Sequence, residues 1–310
     1  MASDFANLRY PGKLMSAVPH SLENSASPQP WDRAAQGWNQ HTELIRAWLQ
    51  SATFEMLNAA QISTGMSVLD LAAGAGDQTL AIAARVGSTG RVLATDVSPI
   101  ILALARQNAA RQGFPQVETR VLDAQHLNLQ GANFDAVVSR LGLMFCHSPL
   151  AALEKAREAL KSGGRFAVLV FSQPKNHPCL AITVGCARQH AGLSTWAEIS
   201  DELAYHPGSL MSLGKPGLLE DLLHSAGFIN IKVRAISAPM RIASVNVYID
   251  FLRSAASPII EMLSRLTPAA QQKAWGDMAQ QLKHFEDEGG WTGPNELLLC
   301  EAQTPAASLH

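Results

Sequence analysis

An α/β fold built on a parallel sheet is what this 310-residue chain predicts, and three observations predict it. Strand-like and helix-like stretches alternate strictly between about residue 67 and residue 171. That rhythm puts crossover helices on the faces of a parallel sheet. The first strand, SVLDLA (67–72), is a continuous apolar run, the pattern of a strand covered on both faces. It ends in a small-residue turn, Ala73-Gly74-Ala75-Gly76, that leads into a helix.

Residues 1–30, rich in Ser, Pro, Asn and Ala, read as a mobile tail. Residues 31–60 carry apolar side chains at helical spacing. After the first strand come a helix (79–86), the strand RVLATD (91–96), and a helix (99–113) that starts at Pro99 and stops at Gly113. The strands QVETRVLD (116–123) and FDAVVSRLGL (134–143) follow. A helix then runs to a glycine stop (149–164), and RFAVLVF (165–171) is a strand. Residues 172–214 form a long insertion with short helices, before a helix (215–228) and the strand INIKVRAI (229–236). Residues 241–292 read as mainly helical, and ELLLCEAQ (296–303) as a last strand. The organisation expected is a tail followed by one domain over 31–310, with a core of 61–171 and 215–303 and cap insertions near 172–214 and 241–292.

A formal charge of −2 creates no field that attracts a phosphate backbone, so nucleic acid is not expected as a partner. Cys146, Cys179, Cys186 and Cys300 form no CxxC pair, so neither a zinc knuckle nor a disulfide framework is signalled. They read as reduced thiols of a cytoplasmic protein. The first 15 residues hold three charges and no apolar core of a secretory signal. No stretch matches the run of about 20 apolar residues that an integral membrane segment needs.

A glycine turn between a buried strand and a helix lets backbone N–H groups approach a ligand. Gly74-Ala75-Gly76 has no third glycine, so the nicotinamide fingerprint is incomplete. Asp96 ends the second strand 20 residues beyond Gly76, where an acid can take both hydroxyls of a ribose. The competing role is a strand-end aspartate that caps the helix at Ser98-Pro99. Asp123 ends the third strand on the same sheet edge, where a carboxylate can accept from an exocyclic adenine amine, or simply form an Asx turn. Together the three strand ends point to one adenosine ligand.

The stretches VLDLAAGAGDQTL, VLATDVSP, VLDAQHL, FDAVVSRLGLMF and ALKSGGRFAVLVF together resemble the class I S-adenosylmethionine-dependent methyltransferases. The branch they look most like is the ubiquinone/menaquinone C-methyltransferase-like small-molecule enzymes. The resemblance implies a Rossmann-like seven-stranded, mostly parallel sheet whose last strand is antiparallel, with helical caps from the insertions. It implies S-adenosyl-L-methionine as cofactor. Asp70 would support the turn and approach the methionine amino group, while Gly74, Ala75 and Gly76 lie against methionine and ribose. Asp96 would hold the ribose, Asp123 and Ala124 the adenine, and Arg140 the methionine end. The sequence has Ala72 and Ala73 where the family often has glycine, and Arg140 where the quinone-methylating branch often has another residue.

A base is useful when the nucleophile must lose a proton. His147, after the fourth strand, and His177, after the fifth, are the candidates, with His206 a third; each also fits a solvent-facing loop histidine. Trp31 and Trp38 share a helix face and serve either as core anchors or as a lid over the cofactor. Trp196, Tyr205, Tyr248 and Phe251 line an acceptor pocket or fill a helical cap. The expected activity is methylation of carbon or oxygen in a small, largely apolar acceptor of quinone, polyketide or isoprenoid type. The alternatives are a catalytically silent regulatory protein of the same fold, a nucleic-acid methyltransferase and a dehydrogenase. The run SRLGLMF stands where the nucleic-acid enzymes commonly have Asn/Asp-Pro-Pro-aromatic.

Overall fold

The structure, a computed structural model, describes residues 28–129, 131, 133–193 and 204–306. Most of the expected N-terminal tail, and Trp196, lie outside the described residues. The elements in chain order are α1 (Pro28–Gln40), α2 (Thr42–Ala59), β1 (Ser67–Leu71), α3 (Asp77–Val86), β2 (Arg91–Asp96), α4 (Pro99–Arg111), β3 (Val117–Val121), β4 (Phe134–Arg140), α5 (Pro149–Ala159) and β5 (Leu160–Phe171). Then come α6 (Pro178–His190), α7 (Leu218–Ser225), β6 (Ile229–Ser237), β7 (Met240–Ile242), α8 (Val245–Ala255), α9 (Ser257–Leu263), α10 (Pro268–Leu282), β8 (Glu286–Asp287), β9 (Gly290–Gly293) and β10 (Glu296–Gln303).

Seven strands pair in the order β3-β2-β1-β4-β5-β10-β6. The pairs β1–β2, β2–β3, β1–β4 and β4–β5 are parallel, and β10 runs antiparallel to both β5 and β6. This is the Rossmann-like sheet with a reversed last strand that the motifs implied. Its centre is dry: Val68, Leu69, Leu71, Val137, Val138 and Val168 are fully buried, which explains the continuous apolar runs of β1, β4 and β5.

Helix starts follow their sequence signals. Ser98 caps α4 by accepting from the Ile101 N–H at 3.1 Å, and Pro99 fills the first turn where a missing N–H costs nothing. Thr267 and Pro268 do the same for α10. Because β1 and β2 end at Leu71 and Asp96 and their crossover helices begin just beyond, Asp70, Asp96 and Arg140 of β4 arrive at one edge of the sheet.

Two expectations are corrected. The helix expected to run to Gly164 ends at Ala159, and Leu160 already pairs with Phe134. The register shifts before Ala136 meets Arg165, and Gly163 sits there at φ +72°, so the glycines mark an irregular strand start. The segment 241–292 is helical only through residue 285. A three-stranded sheet, β7-β9-β8, closes it. Trp291 of β9 is buried, donates its indole N–H to the Leu282 carbonyl at 2.9 Å and stacks on Tyr248 at 4.5 Å. Among the described residues, no helix is long and apolar enough to cross a membrane.

Candidate active site

A cavity of about 1050 Å³, part of it open to solvent, lies over the carboxyl ends of β1, β2, β3 and β4. The turn after β1 supplies Ala72 to Ala75, β2 supplies Asp96, and the chain after β3 supplies Leu122 to Gln125. Arg140, Leu141 and Gly142 come from the end of β4. The opposite wall is Trp31 and Trp38 of α1, Thr42, Ile45 and Leu49 of α2, and Phe145 and Cys146.

Asp70 is fully buried beneath the turn, off the cavity wall. It accepts from Thr79 Oγ1 at 2.6 Å and Gln78 Nε2 at 3.0 Å, two donors from the first turn of α3. Burial pushes its pKa up from 3.8 to about 6 in spite of those bonds. Above it the backbone enters the left-handed region at Ala72, Gly74 and Gly76. A Cβ on Gly76 would stand 3.0 Å from the Ala105 Cβ, so packing requires glycine there. A Cβ on Gly74 would meet only the Ile101 methyl, at 3.9 Å. Gly76 itself is not on the cavity wall; Gly74 and Ala75 are.

Asp96 accepts the Gly74 N–H on one oxygen and the Ser98 N–H on the other, each at 3.0 Å. Burial raises its pKa, those N–H groups oppose the rise, and the nearby Asp32 carboxylate adds to it. The helix cap is Ser98, not Asp96. Asp123 accepts from the Gln125 N–H at 2.9 Å and contacts His126 Nδ1 at 2.8 Å. Burial acts to raise its pKa, but these partners outweigh it and hold the group below 3.8. Asp123 therefore makes the Asx turn that its sequence allowed and also walls the cavity, with Ala124 beside it.

Arg140 is buried on the wall. Its Nη1 lies 2.9 Å from Asp77 Oδ2 and 2.7 Å from Thr53 Oγ1. Asp77 uses its other oxygen to accept from Arg46 Nε at 3.0 Å. The sequence reading did not single out Asp77. Its signal was an acid in the first turn of the helix that follows the glycine turn, a place favoured by the helix dipole.

α1 is tied across the cavity mouth. Asp32 accepts from the Ser98 hydroxyl. Asn108 of α4 donates to Asn39 at 3.1 Å and to the Ala75 carbonyl at 3.0 Å. The Trp31 ring meets Phe145 at 4.7 Å, and Trp38 meets Phe251 of α8 at 6.1 Å.

The protein family described as "Methyltransferase domain" matches residues 62–209, a span that holds every strand end of the cavity. Residues 62–209, just under half of the chain, thus match a methyltransferase domain. The chain is 34% identical over 121 residues to the ubiquinone/menaquinone biosynthesis C-methyltransferase UbiE of Cellvibrio japonicus, covering 39% of this chain and 49% of that protein. The chain spans about half the length of the curated relatives it matches. Among solved structures, YcgJ of Bacillus subtilis superposes with a TM-score of 0.55 at 15% identity, over 83% of this chain and all of that one. Phosphoethanolamine N-methyltransferase 2 of Haemonchus contortus, solved with phosphomonomethylethanolamine and S-adenosylhomocysteine, superposes with a TM-score of 0.52 at 16% identity, over 86% of this chain and 57% of that one. These two likenesses speak for the fold.

Neither histidine expected as a base is on the cavity wall of the methyltransferase domain. His147 is half-buried, off the cavity, just before α5. His177 is fully buried between β5 and α6, with Nδ1 at 3.2 Å from Asn295 Oδ1 and Nε2 at 3.3 Å from the Ser172 hydroxyl. Burial pulls its pKa below 6.5. Its ring, enclosed and in contact on both nitrogens, ties the end of β5 to the start of β10. Tyr248 and Phe251 are core residues of the α8 region, packed on Trp291 and Trp38, and do not reach the cavity. His206 is exposed and contacts the Pro207 carbonyl.

Proposed function

We propose that this chain uses S-adenosyl-L-methionine to methylate a small, largely apolar acceptor. The observation that carries the reading is convergence. The Gly74 turn, Asp96 and the Asp123–Ala124 pair come from three separate strand ends and wall one cavity, whose far side is aromatic and aliphatic. The donor groups fit an adenosyl ligand. The Asp96 carboxylate accepts backbone N–H groups on both oxygens and has lone-pair capacity left for a ribose hydroxyl. Gly74 leaves room for a ligand where a side chain would stand. Asp123 takes the exocyclic adenine amine and the Ala124 N–H a ring nitrogen. Asp70 braces the turn from below, and Arg140 faces the methionine end.

When bound, the cofactor supplies a sulfonium methyl that is already electrophilic. The protein's work is to hold the partners in line and keep water away. Trp31 and Trp38, roofing the cavity from α1, do the second task. UbiE, by its name, acts in quinone biosynthesis, which favours an acceptor of the quinone class; polyketide- and isoprenoid-like acceptors, methylated on carbon or oxygen, fit the same apolar wall. The segment 241–292 supports α1 from behind, and we assign it a cap role through the Trp38–Phe251 and His41–Ser254 contacts.

One observation favours a second reading, a cofactor-binding regulator. Every carboxylate on the cavity wall already accepts a hydrogen bond from the protein, as a group kept for binding would. Calorimetry with S-adenosylmethionine, S-adenosylhomocysteine and NAD tests the cofactor: tight binding of the adenosyl pair with no NAD response supports the proposal, and NAD binding opposes it. Radiolabelled methyl transfer into a metabolite extract then separates enzyme from regulator.

A further inference from the structure

We propose that two copies of this chain pair through the outer edge of β3, joining their sheets antiparallel about a twofold axis at Thr119. The inference stands on the strand alone and does not depend on the methyltransferase reading.

β3 is the last strand at one side of the seven-stranded sheet, and among the described residues no strand pairs with its outer edge. The hydrogen bonds at its two ends show which groups that edge offers. The Gln116 carbonyl accepts from the Val92 N–H, and the Leu122 N–H donates to the Asp96 carbonyl, so the even-numbered residues turn their backbone groups toward β2. In a strand the N–H and C=O of one residue share a side and alternate along the chain, so Val117, Thr119 and Val121 turn theirs outward. The Val117 N–H already donates to the Phe114 carbonyl at 3.2 Å. An antiparallel copy centred on Thr119 uses the groups that are left. Thr119 exchanges two bonds with the Thr119 of the second copy, and each Val121 N–H donates to the Val117 carbonyl opposite.

The side chains fit the same register. VETRV, read backwards, is its own charge complement. With the axis at Thr119, Glu118 of each copy faces Arg120 of the other, and Val117 faces Val121. Moving the axis to Glu118 or to Arg120 would set like charges opposite each other. Ala94 shares a face with its register partner Thr119 and packs with Leu102 and Ala105 of α4, so the valines lie on the α4 side. There Val121, 53% exposed, gains cover from the Val117 of the second copy. Glu118 and Arg120 lie on the opposite side of the sheet, each half-exposed. Arg91 of β2 holds Glu118 at 3.0 Å, and Arg120 stands 3.8 Å from it. These three side chains leave one net positive charge per copy, which solvent screens at such exposure while the opposed pairs form. The exposed Arg106 and Arg111 belong to α4, across the sheet. The other edge offers no such match. A copy centred on Val233, the midpoint of β6, would set Lys232 against Arg234, and these are engaged within the chain by Glu301 at 2.9 Å and Glu55 at 2.6 Å. A five-residue strand pair buries less surface than a permanent dimer needs, so the association is weak and concentration-dependent.

Sedimentation of the full chain between about 1 and 200 μM tests this, and the expected result is a monomer–dimer equilibrium within that range. Glu118→Arg and Arg120→Glu each oppose like charges and weaken self-association about tenfold or more. Mixed in equal amounts, these two variants form a mixed dimer in which every facing pair is again of opposite charge, and association returns to the wild-type level. Thr119→Pro removes an outward N–H, keeps the bonds to β2 and abolishes the dimer. On the wild-type chain alone, hydrogen exchange of the Thr119 and Val121 amides slows as concentration rises, while the β6 edge is unchanged; this reading decides the matter whatever a variant's folding. A chain that stays monomeric at about 200 μM overturns the proposal. So does a dimer that Thr119→Pro leaves intact, a mixture that associates no better than either variant, or exchange at Thr119 and Val121 that ignores concentration.

Discussion

Replacing Asp96 by asparagine separates its proposed ligand role from its structural one. The carboxylate receives the Gly74 and Ser98 N–H groups on opposite oxygens, both at 3.0 Å. Asparagine keeps one carbonyl acceptor and turns an NH₂ toward the other donor. One buried backbone N–H is then unpaired, at a cost of about 1–3 kcal/mol. Burial and the neighbouring Asp32 carboxylate already work against the Asp96 charge, so relief of both offsets part of that loss and leaves it at the low end. The ligand suffers separately. One ribose hydroxyl loses a charged acceptor, worth about 1.5–3 kcal/mol, which weakens S-adenosylhomocysteine roughly 10- to 150-fold. Calorimetry measures the affinity, and a thermal melt fixes the temperature at which the variant is folded. A variant that melts lower but binds within about twofold of the wild type would refute the reasoning, because Asp96 would then hold only its own turn.

Asp77→Asn leaves the Arg140 guanidinium buried without its ion-pair partner and lowers stability by about 3–5 kcal/mol, read from the urea midpoint; an unchanged midpoint contradicts the pairing. Gly76→Ala, at φ +91° with its Cβ 3.0 Å from Ala105, lowers the melting temperature more than Gly74→Ala, whose Cβ meets only Ile101 at 3.9 Å. Asp70 has a folded pKa of about 6 against 3.8 unfolded, so between those values the folded state holds the extra proton and stability falls as pH rises. Relative to Asp70→Asn, the wild type loses up to about 3 kcal/mol across that window, and parallel pH profiles would sink the assignment. His177 shows the opposite direction. Its folded pKa lies below 6.5, the unfolded state protonates first, and stability drops as pH falls below that value; His177→Gln removes the slope.

The sheet was readable because its strands announce themselves locally. A strand buried on both faces shows as the apolar runs around Val68, Val137 and Val168, and Pro99 and Gly113 bracket a crossover helix. Strand ends then place Asp96 and Asp123 beside the glycine turn with no knowledge of packing. The irregular start of β5 was hidden, because Gly163-Gly164 reads equally as a helix stop or a strand irregularity. The β7-β9-β8 sheet is made of two- to four-residue strands, too short for a period to show. The ties at Asp77 were beyond reach for another reason: Arg46, Thr53 and Arg140 come from α2 and β4, joined only by tertiary packing. His177 misled because a histidine after a strand end has no local signal that it is enclosed. The Trp31–Trp38 spacing suggested a shared face, but whether that face met core or cavity depended on where α1 docks.

The central claim is that the carboxyl ends of β1, β2 and β3 hold adenosine. A crystal structure of the chain with S-adenosylhomocysteine tests it most directly. The account predicts ribose hydroxyls on Asp96, the adenine edge at Asp123 and Ala124, and the thioether directed toward the wall formed by Arg140 and Trp38. Ligand density elsewhere on the protein, with those two carboxylates facing only solvent or their own turns, would contradict it.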